Sequence, residues 1–362
     1  MRKLLFNLHL YTALVVGVFV IILGLTGSIM AFEPELDHLF HAKLSYVTPQ
    51  PHALSLAEIT TVVSKAFPGE RISGYAISTS PNLSYQVALR RSIVYLNQYT
   101  GEVLGVREAG PDFLNYVHQL HLRLLLRNKA DSGKTIMSWV GVAMLFLLCS
   151  GLYLWWPLKR VTVNWHAPSK RFWFDVHNTV GIISAVFLLV LTVTGVMIGF
   201  DDTLFPLLYK MTGSEPSRPP AIPPPPAGAK PITPDQAIEI ARAALPGTMP
   251  FQISAPGPKG AYQIRSRFPE DLTPGGRSRV IVDQYTGKVL FAEGSRTAPA
   301  GSRLVIANRA IHTGDIFGIP SKTVMSLASL MLALQVVSGV AMWWKRERKK
   351  RTAPDPAGQT VA

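Results

Sequence analysis

The chain has 362 residues, 48% hydrophobic and only 16% charged, with a net charge of +14 and one cysteine. Charge this sparse, against roughly 25% in average soluble domains, points away from a water-soluble enzyme and toward long apolar runs. The lone Cys149 excludes an intrachain disulfide, a cysteine-ligated iron–sulfur cluster and a Cys-x-x-Cys-His haem attachment, so any haem would be held non-covalently.

Residues 8–32 carry no Asp, Glu, Lys or Arg, and the same holds for 135–157, 176–200 and 323–344. Each stretch reaches the roughly 20 residues needed to cross the hydrocarbon core, so four transmembrane helices are expected. The first follows Met1-Arg2-Lys3, as a secretory signal would. Its run is longer than a signal core, no small-x-small site follows, and it matches the internal stretch 176–200, so it is expected to be retained.

Between the first two spans, 33–134 reads as an outer α+β domain. Ser55 and Glu58 have the spacing of a capping box ahead of a short helix that Pro68-Gly69 ends. Alternating strands follow at Tyr85–Leu89 and Ser92–Leu96, and Gln98-Tyr-Thr-Gly101 turns a hairpin. A loop at 158–175 leads into the third span. Residues 201–322 then repeat the plan, with Thr233 and Gln236 as the capping pair, Pro246-Gly247 as the stop and Gln284-Tyr-Thr-Gly287 as the turn. The Pro-rich stretch 213–231 reads as an extended linker inserted in this second domain. A basic tail, 345–362, follows the fourth span.

Arg2, Lys3, Lys159, Arg160, Lys170, Arg171 and the cluster Lys345–Arg351 all flank helix ends expected on one side. The positive-inside rule makes that side cytoplasmic, with both termini there and both large loops outside. The basic balance is thus topological. Membrane lipid is its expected partner, and nucleic acid is not.

The halves match in detail. His9, Thr26 and Gly27 align with His177, Thr194 and Gly195, and Ser150-Gly151…Trp155-Trp156 aligns with Ser338-Gly339…Trp343-Trp344. The expected fold is a membrane four-helix bundle with two outer α+β domains, built by parallel duplication of a helix–domain–helix unit. A histidine recurring at one depth in two apolar spans is a candidate functional site, and a facing pair suits axial ligation of haem in a helix bundle. The competing reading is an ordinary interfacial histidine. Eighteen residues on, Gly27 and Gly195 share the histidine's helix face, about 27 Å along the axis. They would leave room for a second flat cofactor, or simply allow close helix packing.

A second pair, His121 and His312, precedes the second and fourth spans in matching positions and is favoured for an outer haem. His118, one helical turn away, is the rival ligand or a contact for a haem propionate. His38 and His41, with Glu33, Glu35 and Asp37, form a further candidate metal or substrate site, against a solvated loop. Trp155, Trp156, Trp343 and Trp344 at the helix ends read as interfacial anchors, with contact to a haem or quinone as the alternative.

The order of these helices, Gln-Tyr-Thr-Gly turns and Gly…Trp-Trp helix ends resembles the bacterial PepSY-associated transmembrane helix proteins over nearly the whole chain. The resemblance implies an inner-membrane protein with two periplasmic PepSY domains. Some members of that family are dihaem ferric-siderophore reductases, and some carry a fused flavoprotein domain, which is not expected in this chain. It implies two non-covalent b haems, for which His9, His177, His121 and His312 stand in matched positions, and electron transfer to a periplasmic ferric siderophore. The donor stays open among a quinol, a cytoplasmic reductase and another membrane partner. The rival readings are a PepSY module that binds or inhibits a periplasmic peptidase or aids assembly, and a transporter.

Overall fold

The computed structural model describes residues 1–108, 110–126, 130–224, 226, 228–255 and 260–351. Residues 352–362 of the basic tail, the side chains of Lys349, Lys350 and Arg351, and positions 225 and 227 of the Pro-rich stretch lie outside the described residues. In chain order the elements are α1 (Arg2–Met30), α2 (Glu33–Phe40), α3 (Ala42–Ser45), α4 (Leu56–Ala66), β1 (Gly74–Ala76), β2 (Tyr85–Ala88), β3 (Ser92–Leu96), β4 (Val103–Glu108), α5 (Phe113–Arg123), α6 (Ser132–Trp155), α7 (Ser169–Gly199), α8 (Asp201–Met211), α9 (Pro234–Ala244), β5 (Met249–Ser254), β6 (Ala261–Arg267), β7 (Ser278–Asp283), β8 (Val289–Glu293), α10 (Ala300–Thr313) and α11 (Ile319–Arg351).

The chain divides into two units. The first holds Met1–Phe32, Phe113–Leu204 and Ile311–Ala362, and the second holds Glu33–Asp112 and Phe205–Ala310.

In the first unit, α1, α6, α7 and α11 are long and apolar enough to cross a membrane. They pack as a ring in which α1 and α7 each touch α6 and α11. Val20, Val140, Met144, Leu188, Ala328 and Leu332 fill its centre. Only 22–28% of each apolar window is buried, so the outer faces present bare hydrocarbon, as lipid-facing helices do. Val15, Val18, Ile183 and Val186 stand on those faces. Cys149 is exposed there too. Small residues bring the helices close: Ser329 Oγ donates to the Gly24 carbonyl at 3.1 Å, a contact that any β-carbon on Gly24 would obstruct. The helices also overrun the charge-free stretches. α7 begins at Ser169, its first turns supported by the Arg171–Asp175 ion pair at i,i+4. α5 packs on α1 and α6, so His121 belongs to the membrane unit, whereas the sequence boundary at 134 assigned it to the outer domain.

In the second unit the two α+β halves expected from the sequence share one sheet. A single eight-stranded antiparallel sheet runs β4-β3-β2-β1-β5-β6-β7-β8. Each half of the chain supplies a four-stranded meander, and their first strands pair, Gly74 with Ser254 and Ala76 with Gln252. Pairing β1 with β5 removes two exposed sheet edges, each of which would otherwise be a row of unsatisfied backbone groups. Both capping boxes form, at Ser55/Glu58 and Thr233/Gln236. α4 and α9 then lay Ile59, Val63, Ile238 and Ala241 against Val87, Val94, Ile253, Ile264, Val280 and Val282 of the sheet. The Gln-Tyr-Thr-Gly segments are the β3–β4 and β7–β8 turns. Gly101 and Gly287 stand at φ +76° and +69°, where a side chain would be strained. Gln98 and Gln284 are buried and donate to the carbonyls of Leu83 and Gly260.

Candidate functional site

α1 and α7 carry His9 and His177 on helices that do not adjoin in the ring, and both imidazoles line one cavity between the four helices. The cavity measures about 690 Å³. That lies in the range of small-molecule sites, about 300–1,000 Å³. Its walls are mainly Leu, Ala, Val and Gly. Arg2, Lys3, Lys170 and Arg346 also line it, and among the described residues no Asp or Glu does. An apolar cavity lined by two imidazoles and several cations suits a largely apolar ligand that carries negative charge. The Trp pairs divide: Trp155 and Trp343 line the cavity, while Trp156 and Trp344 are exposed.

Each histidine is held by a hydroxyl on another helix. His9 Nδ1 lies 2.8 Å from Ser150 Oγ on α6. His177 Nδ1 lies 3.0 Å from Ser338 Oγ on α11. Gln335 Nε2 donates to the His177 backbone carbonyl at 3.0 Å and braces that turn of α7. The ring of His9 lies against Gly151 and that of His177 against Gly339, where a β-carbon would stand 3.4 and 3.6 Å from Cε1.

His121 and His312 repeat this arrangement. His121 Nδ1 lies 2.8 Å from Thr26 Oγ1, and His312 Nδ1 lies 3.0 Å from Thr194 Oγ1. A β-carbon on Gly27 would lie 3.2 Å from His121 Cε1, and one on Gly195 would lie 3.0 Å from His312 Cε1. Gly27 and Gly195 therefore make room for imidazole rings. Burial, with His312 and His118 nearby, pushes the pKa of His121 down to about 3, which keeps its ring neutral at ordinary pH.

Hydroxyl bonding assigns the tautomers. Ser150 donates its one proton to the Phe146 carbonyl, Thr26 to Ile22, Thr194 to Val190 and Ser338 to Gln335. Each hydroxyl can then only accept from the imidazole. Nδ1 carries the ring proton, and Nε2 is the nitrogen with a lone pair for a metal. Paired neutral imidazoles with outer-shell partners on Nδ1 are a donor set for haem iron.

These hydroxyls carry a signal in the sequence, the repeated dipeptides Thr26-Gly27, Ser150-Gly151, Thr194-Gly195 and Ser338-Gly339. His118 sits one turn before His121 on α5, close enough to act on it electrostatically. The His38/His41 cluster does not assemble a metal cage. Asp37 is taken by Arg107 and His41, His38 stands edge-on to Tyr46, and among the described residues no three His, Cys, Asp or Glu side chains converge.

Fold and spans define a four-helix integral membrane protein with an appended α+β unit. The chain belongs to the family described as PepSY-associated TM region, which matches residues 6–346. Comparison with curated proteins gives no match.

Proposed function

We propose that this protein is a dihaem b-type oxidoreductase of the bacterial inner membrane. It would pass electrons from a quinol or a cytoplasmic reductase to a periplasmic acceptor. The observation that carries this reading is the fourfold recurrence of a histidine whose Nδ1 is occupied by a buried hydroxyl, in two matched pairs. His9 and His177 would hold one haem in the cavity, with Arg2, Lys3, Lys170 and Arg346 compensating its carboxylates. His121 and His312 would hold the second. Haem ligated by two imidazoles supplies one-electron transfer and leaves no open position for oxygen chemistry. The chain's own task is to orient imidazoles, exclude water with apolar walls and neutralise charge.

The sheet unit and the ends of α5 and α10 would be periplasmic, and the basic helix ends cytoplasmic. A ferric siderophore is the acceptor implied by the resemblance to dihaem ferric-siderophore reductases. One electron converts its Fe(III) to Fe(II), which binds hard oxygen donors less tightly and is released.

The test is a visible spectrum of the detergent-purified protein, oxidised and dithionite-reduced, with pyridine-haemochrome quantitation. About two b-type haems per chain are expected. The reduced protein should then be reoxidised by a ferric hydroxamate complex, with the Fe(II) trapped by a ferrous chelator. Purification without haem from cells well supplied with it would overturn the redox reading. Haem present but inert toward ferric complexes would overturn only the acceptor.

A further inference from the structure

Buried hydroxyls that bond back to their own helix are common in membrane spans. Here Ser138, Ser184 and Thr192 do only that, donating to the carbonyls of Lys134, Val180 and Leu188. Thr26, Ser150, Thr194 and Ser338 donate in the same way and also receive an imidazole from another helix. Each is followed by the glycine against which that imidazole lies. We propose that these four hydroxyls are positioning residues that fix the tautomer, orientation and basicity of the histidines, and thereby set the redox potential of each haem. The proposal rests on the haem reading above.

The mechanism follows from proton accounting. A hydroxyl that has spent its proton on a backbone carbonyl presents only lone pairs, so the imidazole donates Nδ1–H to it. Donation from Nδ1 enriches Nε2, and a more basic axial ligand favours Fe(III) over Fe(II). Removing the hydroxyl should therefore raise the midpoint potential of the haem that its histidine serves.

The two halves of the chain differ in a way that sharpens the test. His177 Nδ1 also lies 3.2 Å from the Gln335 carbonyl, and His312 Nδ1 lies 3.1 Å from that of Leu191. Either ring keeps an acceptor when its hydroxyl is lost. For His9 and His121, Ser150 and Thr26 are the only Nδ1 acceptors among the described residues. Ser150→Ala and Thr26→Val should shift potential more than Ser338→Ala and Thr194→Val.

The experiment is an optical redox titration of the purified haem-loaded protein, with ferric EPR and the rate of haem loss to apomyoglobin. Ser150→Ala should raise the potential of one haem, and Thr26→Val that of the other. Each should also weaken retention of its haem by about 10-fold or more, the usual effect of losing an outer-shell partner. Ser150→Thr and Thr26→Ser, which restore a hydroxyl, should return both readouts toward wild type. Ser184→Ala, which removes a back-bonded hydroxyl with no imidazole, should change neither. Potentials, EPR spectra and haem loss for Ser150→Ala and Thr26→Val that match Ser184→Ala would overturn the proposal and leave dihaem binding intact. A wild-type protein without haem would overturn both.

Discussion

The imidazole of His121 lies directly over Gly27: a β-carbon built on that glycine would stand 3.2 Å from Cε1. The same carbon would stand 2.9 Å from Ser329 Oγ, so a second side chain also closes the space. Gly27→Val should push the ring from its position and cost about 1–3 kcal/mol, as overpacking does. The expected result is loss of one haem with the other retained, and a lower Tm. Gly110→Ala, where no atom lies within 4 Å, is the control and should leave both unchanged.

Haem content should follow the pairing of the histidines. His9→Ala and His177→Ala should each leave about one haem per chain, and the double variant should lose no more, because residues acting as a unit are not additive. His121→Ala and His312→Ala should behave likewise for the other haem. His118→Ala should retain both. Loss of a haem in His118→Ala, with His121→Ala unaffected, would reassign the ligand.

The second unit has its own test. Asp235, in the first turn of α9, accepts from the backbone N–H groups of Leu56 and Ala57 at 2.8 Å each. A carboxylate from one half of the chain thus caps the helix of the other, satisfying two orphan donors at a positive helix terminus. Asp235→Ala should destabilise the sheet unit by about 1–2 kcal/mol, near the cost of losing a helix cap, read as a fall in Tm by circular dichroism. Asp235→Asn should recover part of it.

Alkaline pH should unlock the same core. Burial, with Tyr75 nearby, pushes the Tyr262 phenol up to about 12, and its O–H donates to the Ile232 carbonyl at 2.9 Å. The folded state therefore holds this proton more tightly than the unfolded chain, whose phenols titrate near about 10. Its contribution to stability is full below about pH 10 and falls as pH rises toward 12. Phenolate absorbance near 295 nm should show a late-titrating tyrosine that Tyr262→Phe removes. Titration of every tyrosine near pH 10 in the folded protein would contradict this.

Local chemistry determined much from the sequence alone. Four charge-free stretches had to become membrane-spanning helices, because no other open-chain conformation satisfies its backbone in lipid. Ser55 with Glu58 and Thr233 with Gln236 dictated where two helices begin, and Gly101 and Gly287 where two hairpins turn. His9, His177, His121 and His312 could be singled out by their matched positions. Their partners could not: Ser150 lies 141 residues from His9, and Thr26 lies 95 from His121. Only helix packing decides which hydroxyl meets which ring. Tertiary structure likewise joined the two expected outer domains into one sheet, because a meander ending in a bare edge strand gains backbone bonds when it pairs with its counterpart. Spans, caps and turns are local and legible in sequence, whereas the ring-to-hydroxyl contacts and the β1–β5 seam exist only once distant segments are packed together.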